Sequence, residues 1–213
     1  MDQRAGSAVE RAMTSWLHQE RFAGVRDVLR GAGAATVLDL GCGAGAFLLP
    51  LAQEPWLNRV TGVEQATGPL ADLRAGVAQL PEPARGKVEI IEGSVLDAGL
   101  LRGRTFDAAV MVEVIEHLDP GHLSALERAV FAAPAPGVVV MTTPNAEFNA
   151  LLGVPSHRLR HPDHRFEWSR AGFGQWAGGV AARVGYSVQF QDLGGCHPKL
   201  GGASQMAVFM RQT

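Results

Sequence analysis

Short apolar runs that alternate with helix-like stretches are the feature that most restricts the fold of this chain. Five such runs occur in order, at Ala35–Leu40, Arg59–Val63, Val88–Ile91, Phe106–Val112 and Gly137–Thr142. Strands that alternate with helices are typical of a parallel sheet with helices on both faces. The sequence therefore predicts a doubly wound α/β domain.

Two further runs near the C-terminus depart from this alternation. Ser187–Leu193 and Ser204–Met210 follow a single helix and are joined by a glycine-rich loop. Such a pair predicts an antiparallel hairpin, which a repeating β–α pattern would not produce. Together with the five earlier runs, it predicts a seven-stranded sheet that is mostly parallel and has an antiparallel last strand.

Two helices are predicted outside the first five strands. The first spans about residues 8–31 and has an apolar face of Val9, Met13, Trp16 and Leu17. Ser169 is a predicted N-cap of the second. That helix has an apolar face of Phe173, Trp176, Ala177 and Val180. A length of 213 residues suits one α/β domain, so we expect residues 1–213 to form a single domain.

Composition and charge exclude several classes of protein. The N-terminus lacks a signal-peptide pattern, and no apolar run approaches the roughly 20 residues that span a bilayer. The two cysteines, Cys42 and Cys196, are far apart, which argues against a disulfide framework. The formal net charge of −2 gives no overall nucleic-acid footprint. We expect a cytoplasmic protein without a membrane partner.

A glycine-rich turn follows the first predicted strand. Asp39 precedes Gly41 and Gly43, and Glu64 ends the second strand, where a carboxylate can accept hydrogen bonds from ribose hydroxyls. The turn suits S-adenosylmethionine, but Gly41, Gly43 and Ala46 also satisfy a dinucleotide fingerprint. A tight turn without a ligand is a third reading. Asp39 and the terminal hairpin favour the methyl donor.

The stretch after the third strand, Gly93-Ser94-Val95, is where adenine contacts would fall in a methyl-donor site. Ser94 would occupy that position. A helix N-cap is an equally good interpretation of Ser94.

Titratable residues crowd the end of the fourth predicted strand. Glu113, Glu116 and His117 are spaced so that one helical turn would place all three on one face. Such a group needs a partner, and a divalent metal would supply one. A solvated first turn of a helix is the alternative. Mixed oxygen and imidazole ligands suit Mn²⁺, Fe²⁺ or Co²⁺ better than an all-oxygen Mg²⁺ site.

The segment Leu151–Glu167 interrupts the regular pattern and is predicted to be a long loop, a kind that is usually functional or disordered. It offers a fourth metal ligand from among His157, His161 and His164. Several arginines and two aromatics also lie in or beside it: Arg158, Arg160, Arg165, Arg170, Phe166 and Trp168. The arginines could pair with phosphates or form a solvated rim, and the aromatics could stack on bases or belong to the core. We favour the core for the two aromatics.

Polar residues also follow the fifth predicted strand. Asn145, Glu147 and Asn149 lie at the sheet edge where the other candidate residues fall. They could hydrogen-bond a substrate or form an ordinary turn.

Five stretches together resemble the family of RNA 3′-terminal nucleotide 2′-O-methyltransferases, which act on small silencing RNAs and in bacterial RNA repair. Asp39–Gly43 and Gly93–Val95 are generic to methyltransferases, whereas the remaining three are more informative. Those three are Glu113-Val114-Ile115-Glu116-His117-Leu118, Thr143–Asn149 and Asp163-His164-Arg165-Phe166-Glu167-Trp168-Ser169-Arg170. The resemblance extends from about Leu17 to Arg211 and implies a Rossmann-like class I methyltransferase fold.

The resemblance also implies roles for individual residues. The metal ligands and catalytic residues would be Glu113, Glu116, His117 and His164. The S-adenosylmethionine pocket would be lined by Asp39, Gly41, Gly43, Glu64, Ser94 and, as a weaker assignment, Arg21. The metal would be Mn²⁺, with Mg²⁺ or Co²⁺ as alternatives. The partner would be an RNA 3′ end, with a separate RNA-repair or RNA-binding protein as a second candidate.

Three other functions remain open from the sequence. A methyltransferase that acts on a small vicinal diol would use the same metal chemistry. A non-catalytic module that binds RNA ends would keep the site without the reaction. A dinucleotide-dependent oxidoreductase is the weakest of the three.

Overall fold

The computed structural model describes residues 3–195 and 197–212, with side chains from Trp16 onward. Its helices are α1 Gln3–Gly31, α2 Leu48–Ala52, α3 Thr67–Gln79, α4 Glu82–Arg85, α5 Leu123–Glu127 and α6 Arg170–Val184. Its strands are β1 Thr36–Leu40, β2 Arg59–Glu64, β3 Val88–Glu92, β4 Ala108–Val112, β5 Val138–Pro144, β6 Tyr186–Leu193 and β7 Ser204–Arg211. Short 3₁₀ helices lie at Ile115–His117, Pro120–His122 and Ala146–Leu152, and a π-helical turn at Arg128–Ala132.

The seven strands form one sheet in the order β3-β2-β1-β4-β5-β7-β6. β1 to β5 are mutually parallel, whereas β7 pairs antiparallel with both β5 and β6. The predicted doubly wound, mostly parallel seven-stranded sheet with its antiparallel hairpin is therefore confirmed.

The central strands β1, β4 and β5 are largely apolar because the sheet is buried on both faces there. Along β1, Val37 packs with the core on the α1 and α2 side, whereas Leu38 packs with the core on the α5 and α6 side. In β4, Val110 packs on the α1 and α2 side, and Met111 packs on the α5 and α6 side. Helices on both sides leave the ends of the strands as the natural place for a site.

Helix α1 is longer than predicted and begins at Gln3. Its predicted apolar face was wrong in one position, because Trp16 is 45% exposed. The buried side of the helix is formed by Arg21, Val25 and Leu29, spaced four residues apart. The side chains of Val9 and Met13 lie outside the described part of the chain.

Helix α6 matches its prediction. Ser169 caps it by accepting a hydrogen bond from the backbone N–H of Gly172 at 3.1 Å, and Phe173, Ala177 and Val180 are buried. Cys42 is a buried free thiol, and Cys196 lies outside the described residues. None of the described helices has the length and apolar character that crossing a membrane requires.

Asn145 ties the terminal hairpin to the end of β5. Its fully buried amide donates to the carbonyls of Leu200 at 2.7 Å and Gly202 at 2.9 Å, and its Oδ1 accepts from the backbone N–H of Glu147 at 3.0 Å. A buried side chain with all these bonds fixes the loop before β7 against the sheet edge.

We expect Asn145→Ala to lower the free energy of unfolding by about 2–4 kcal/mol, because buried carbonyls lose their donors. Chemical denaturation would measure the loss. Asn58→Ala, at an exposed position, is the matched control and should change stability by less than about 0.5 kcal/mol. Equal effects for the two variants would show that the Asn145 hydrogen bonds do not stabilise the fold.

Candidate functional site

The glycine-rich turn after β1 is fixed by backbone hydrogen bonds to β2. The N–H groups of Gly41 and Cys42 both donate to the carbonyl of Val63, at 2.8 and 3.1 Å. Gly41 has a φ of 74°, and a Cβ there would lie 2.8 Å from the side chain of Val114. Glycine is required because the backbone is left-handed and passes directly against the segment that follows β4.

Glu64 lies opposite this turn, at the end of β2, as predicted. Its Oε2 accepts from the backbone N–H of Gly43 at 3.0 Å, and its Oε1 accepts from the N–H groups of Gln65 and Ala66 at 2.8 Å. These bonds hold the carboxylate at the mouth of the turn. Its role toward a methyl donor stays a prediction.

Asp39 is buried within the same turn, and its Oδ2 has no hydrogen-bond partner. Burial, reinforced by the charge of Glu64, raises the pKa of Asp39 from 3.8 to about 7. A buried carboxylate oxygen without a donor fits a ligand that donates a hydrogen bond.

Ser94 follows β3 at the same end of the sheet. The next residues form a turn rather than a helix, and the Ser94 Oγ accepts from the backbone N–H of Leu96 at 3.3 Å. The helix N-cap interpretation is therefore wrong, and adenine contact stays a prediction.

Glu116, His117 and His164 lie together at the carboxyl end of β4. One ligand atom from each falls within 4.8 Å of the others. The 3₁₀ helix Ile115–His117 supplies the first two, and the loop before α6 supplies the third. A backbone hydrogen bond of 2.7 Å from Arg165 N–H to the Glu116 carbonyl joins the two segments.

Glu116 is fully buried, which is costly for a carboxylate. Its Oε2 accepts from the Thr143 hydroxyl at 3.0 Å, but its Oε1 has no partner. Burial and then the nearby charge of Glu113 raise the pKa of Glu116 well above its ordinary range. An unpartnered buried oxygen beside two imidazoles is the environment that a divalent cation fits.

The two histidines differ in their surroundings. Burial and then the neighbouring His164 lower the pKa of His117, which keeps its imidazole neutral, as a metal ligand must be. His164 Nδ1 lies 2.5 Å from Glu167 Oε1. His161 lies nearby, with its ring centroid 6.2 Å from that of His117, whereas His157 is exposed.

Glu113 does not share the helical turn with Glu116 and His117, so the predicted helical geometry was wrong, although all three residues line the same cavity. The helix begins at Ile115, and Glu113 lies before it in a left-handed conformation with a φ of 54°. Its Oε1 accepts from Thr142 at 3.0 Å, and its Oε2 pairs with Arg21 at 3.1 Å. Its role as a metal ligand stays a prediction.

Arg21 reaches the site from α1 and is 5% exposed. It pairs with Glu113 and donates to the Ser204 hydroxyl at 3.0 Å. These polar contacts of Arg21 are therefore with the Glu113 side of the site and not with the glycine turn. The assignment of Arg21 to the donor pocket stays a prediction.

One cavity of about 580 Å³ lies at the Glu116 cluster and is lined by Arg21, Glu113, Glu116, His117 and His164. It reaches Ala46, the residue that follows the glycine turn, whereas Asp39, Gly41, Gly43, Glu64 and Ser94 lie outside its lining. Apolar side chains form another part of the lining: Leu17, Phe22, Val112, Pro144, Leu152 and Val154. A ligand in this cavity would therefore contact the Glu116 cluster and approach the glycine turn.

The other predicted polar residues support the site from outside. Asn145 holds the hairpin, Glu147 pairs with Arg170 at 3.0 Å, and Asn149 Oδ1 accepts from Arg160. Asn145 thus fits the ordinary-turn interpretation, because it caps the 3₁₀ helix that follows, whereas Glu147 and Asn149 make contacts with residues distant in sequence. The segment Leu151–Glu167 is only partly a loop, because the 3₁₀ helix ends at Leu152.

The arginines and aromatics of this segment separate into two groups. Arg158 and Arg165 are exposed at the rim, whereas Arg160 is half-buried. Phe166 and Trp168 pack against the core, as we favoured.

Sequence reasoning assigned no role in the site to three polar residues, which are Thr142, Thr143 and Glu167. It offered Arg160 only as a phosphate partner or a solvated rim residue, whereas Arg160 bonds to Asn149, Ala203 and Asn145. The two threonines carried no signal, because they lie within an apolar strand. Glu167 had a signal, since it lies three residues after His164, a spacing that can place a carboxylate beside an imidazole.

Comparison with known proteins gives consistent similarities. A family model described as a methyltransferase domain matches residues 9–190. A crystal structure of the methyltransferase domain of bacterial CtHen1 superposes with a TM-score of 0.81 and 37% identity, covering 92% of this chain and 100% of that one.

Two curated proteins named small RNA 2′-O-methyltransferase are also similar. The Gallus gallus protein is 34% identical over 92% of this chain and 54% of its own length. The Rattus norvegicus protein is 36% identical over 84% of this chain and 46% of its own length. The chain thus spans about half the length of these relatives.

We expect Asp39→Asn to change how stability depends on pH in the ligand-free protein. Because the pKa of Asp39 is raised on folding, its protonated form is favoured in the folded state. The wild type should therefore lose up to about 4 kcal/mol relative to the variant as the pH rises from 4 to 8. Urea denaturation across that range measures the difference.

The exposed Asp27→Asn is the control for this experiment and should leave the pH profile unchanged. Parallel profiles for wild type and Asp39→Asn would contradict the raised pKa.

Proposed function

The chain belongs to the family of Hen1-type methyltransferase domains, and from this premise we propose that it methylates the 2′-hydroxyl of the 3′-terminal nucleotide of RNA. The methyl group comes from S-adenosylmethionine. Its bond to sulfur breaks as a bond to the 2′-oxygen forms, S-adenosylhomocysteine leaves, and the hydroxyl proton passes to a base. Curated relatives named small RNA 2′-O-methyltransferase support the part of the proposal that concerns 2′-O-methylation of RNA.

The cavity at the Glu116 cluster is the observation that carries the proposal. Methyl transfer needs the nucleophile and the donor close together and in line. The cavity reaches Ala46, the residue after the glycine turn, so an acceptor held by the Glu116 cluster would lie next to a donor bound at that turn. The close approach of Gly41 to Val114 fixes the two parts of the site against each other.

The glycine turn beside this cavity fits S-adenosylmethionine. We assign Gly41, Gly43 and Glu64 to the wall around its ribose and amino-acid moieties, with Asp39 as the buried acceptor. Ser94 and Arg21 belong to the same proposal, at the adenine side and at the Glu113 side respectively. The unpartnered Asp39 oxygen is the observation that supports this fit.

The acceptor side fits a divalent metal, which is Mn²⁺ in this proposal, with Co²⁺ or Mg²⁺ as alternatives. Glu116, His117 and His164 would hold it, and Glu113 would be a further ligand if its contact with Arg21 rearranges. When bound, such an ion supplies Lewis acidity that lowers the pKa of a hydroxyl. The unpartnered Glu116 Oε1 and the mixed oxygen and nitrogen donors support this fit.

Terminal specificity follows from the chemistry of the substrate. Only the last nucleotide presents adjacent free 2′- and 3′-hydroxyls, because an internal 3′-oxygen is esterified. The Glu116 cluster is the part of the cavity suited to a vicinal diol. A histidine or carboxylate of this cluster would accept the 2′-hydroxyl proton.

Binding of the RNA beyond its last nucleotide needs basic surface that attracts phosphates. The formal net charge is −2, so the general attraction to phosphates is weak. We therefore include a separate RNA-repair or RNA-binding protein in the proposal, acting in the cytoplasm. The exposed Arg158 and Arg165 would contribute local phosphate contacts.

The reaction is tested by transfer of labelled methyl from S-adenosylmethionine to short RNAs with different ends. We expect Mn²⁺-dependent labelling of an RNA ending in 2′-OH and 3′-OH, and none of matched RNAs ending in 2′-deoxy or 3′-phosphate. Chelator should abolish labelling.

Each contrary result points elsewhere. Labelling of a small catechol but of no RNA would favour a diol methyltransferase. RNA-end binding without transfer would favour a non-catalytic module. Labelling that ignored the chelator would exclude the metal from the reaction.

Changing His117 or His164 to alanine should lower methyl transfer by about 100-fold or more while donor binding is retained, because the two parts of the site have separate roles. Calorimetric titration with S-adenosylhomocysteine measures donor binding. His122→Ala, on an exposed 3₁₀ helix, is the control and should retain both properties. Equal loss of donor binding and transfer would argue against separate roles.

A further inference from the structure

Glu167 makes contacts that the proposed reaction does not yet explain. Its side chain is only 1% exposed, although it lies in the surface segment that carries His164. Three donors converge on its carboxylate: His164 Nδ1 at 2.5 Å, Asn149 Nδ2 at 2.5 Å and the backbone N–H of Arg160 at 2.6 Å. Such convergence fixes the carboxylate in one orientation.

The contact with His164 determines which ring nitrogen carries the proton. An ionised carboxylate can only accept, so the His164 Nδ1 must donate. In the neutral imidazole, Nε2 is then unprotonated and has a free lone pair. The cluster with Glu116 and His117 requires a nitrogen in that state.

We propose that Glu167 is a positioning residue, which holds His164 in the Nδ1-protonated form and directs its Nε2 lone pair toward the Glu116 cluster. The proposal rests on the proposed function, in which His164 binds a divalent metal. Carboxylates that accept from the second nitrogen of a metal-binding histidine fix its orientation and raise its basicity.

Arg160 stabilises this arrangement through Asn149, which is one of the donors to Glu167. Its guanidinium donates to Asn149 Oδ1 from Nε at 3.0 Å and from Nη2 at 2.7 Å. It also donates to the carbonyls of Ala203 at 2.9 Å and Asn145 at 3.0 Å. The Asn149 amide can therefore present only its NH₂ group to Glu167, and the carboxylate is tied to the fixed end of the hairpin.

Glutamate is the side chain that this position needs. Glutamine would bring an NH₂ group against a donor in either orientation, since both carboxylate oxygens accept hydrogen bonds. When the NH₂ group faces His164, it would favour the Nε2-protonated form and remove the lone pair. Glu167→Gln is thus a nearly isosteric test of the contact.

The first experiment titrates Mn²⁺ into the whole chain, with the free ion followed by electron paramagnetic resonance. We expect Glu167→Gln to weaken Mn²⁺ binding by about 10–100-fold while S-adenosylhomocysteine binding is unchanged. Glu127→Gln, which removes a carboxylate paired with Arg183 at 3.0 Å, is the matched control and should bind Mn²⁺ as the wild type does. Unchanged Mn²⁺ affinity in Glu167→Gln would overturn the proposal.

A double-mutant cycle separates positioning from general structural support. If Glu167 acts through His164, Glu167→Gln should change Mn²⁺ affinity by less than about twofold once His164 is alanine. An equal loss in both backgrounds would contradict a role through His164.

The protonation of His164 gives a readout that needs no metal. Nitrogen-15 NMR of the metal-free wild type should show His164 with its proton on Nδ1, and Glu167→Gln should shift it toward Nε2. An Nε2-protonated wild type would overturn the proposal even if the variant failed to fold. A wild type that bound no Mn²⁺ would refute the metal in the proposed function, whereas the NMR result would still decide whether Glu167 orients His164.

Discussion

Burial of the Glu116 carboxylate is the constraint on which the site depends. A carboxylate out of contact with water is stable only where other groups offset the cost, and Thr143 satisfies one of its two oxygens. The surrounding chain is organised around the other oxygen, with His117 beside it and the His164 segment joined to its own backbone carbonyl. The link between Arg165 and Glu116 holds the loop across the end of the sheet together with the hydrogen bonds of Arg160 to Ala203 and Asn145.

The fold provides the second requirement, which is that unrelated segments meet. Parallel strands end at one edge, so β1, β2 and β4 deliver the glycine turn, Glu64 and the Glu116 cluster to the same place. The antiparallel hairpin supports this edge from outside the cavity, where Ser204 accepts a hydrogen bond from Arg21. Asn145 connects the hairpin to the end of β5, and Arg160 connects the hairpin to the segment that carries His164. These contacts hold the elements around the Glu116 cluster together.

Sequence patterns predicted the sheet, the hairpin and helix α6, because both faces of the sheet are buried and Ser169 has a local capping role. They also predicted that Glu116, His117 and His164 would meet. They failed for Glu113, since periodicity carries no information about the left-handed residue that precedes the 3₁₀ helix. They missed Thr142 and Thr143, because a hydroxyl within an apolar strand acquires its partner only from tertiary packing. Trp16 was wrongly assigned to the buried face of α1, because helical spacing does not show which part of a helix packs against the sheet.

The raised pKa of Asp39 has a consequence for ligand uptake. Because burial raises the pKa of Asp39 to about 7, part of the ligand-free population holds a proton on this carboxyl group near neutral pH. A ligand that donates a hydrogen bond to it stabilises the ionised form, so binding expels part of a proton into the buffer. The observed binding enthalpy would then vary with the ionisation enthalpy of the buffer, and affinity would increase with pH through the neutral range. A single buried acid thus makes occupancy of the glycine turn a process linked to the proton concentration of its surroundings.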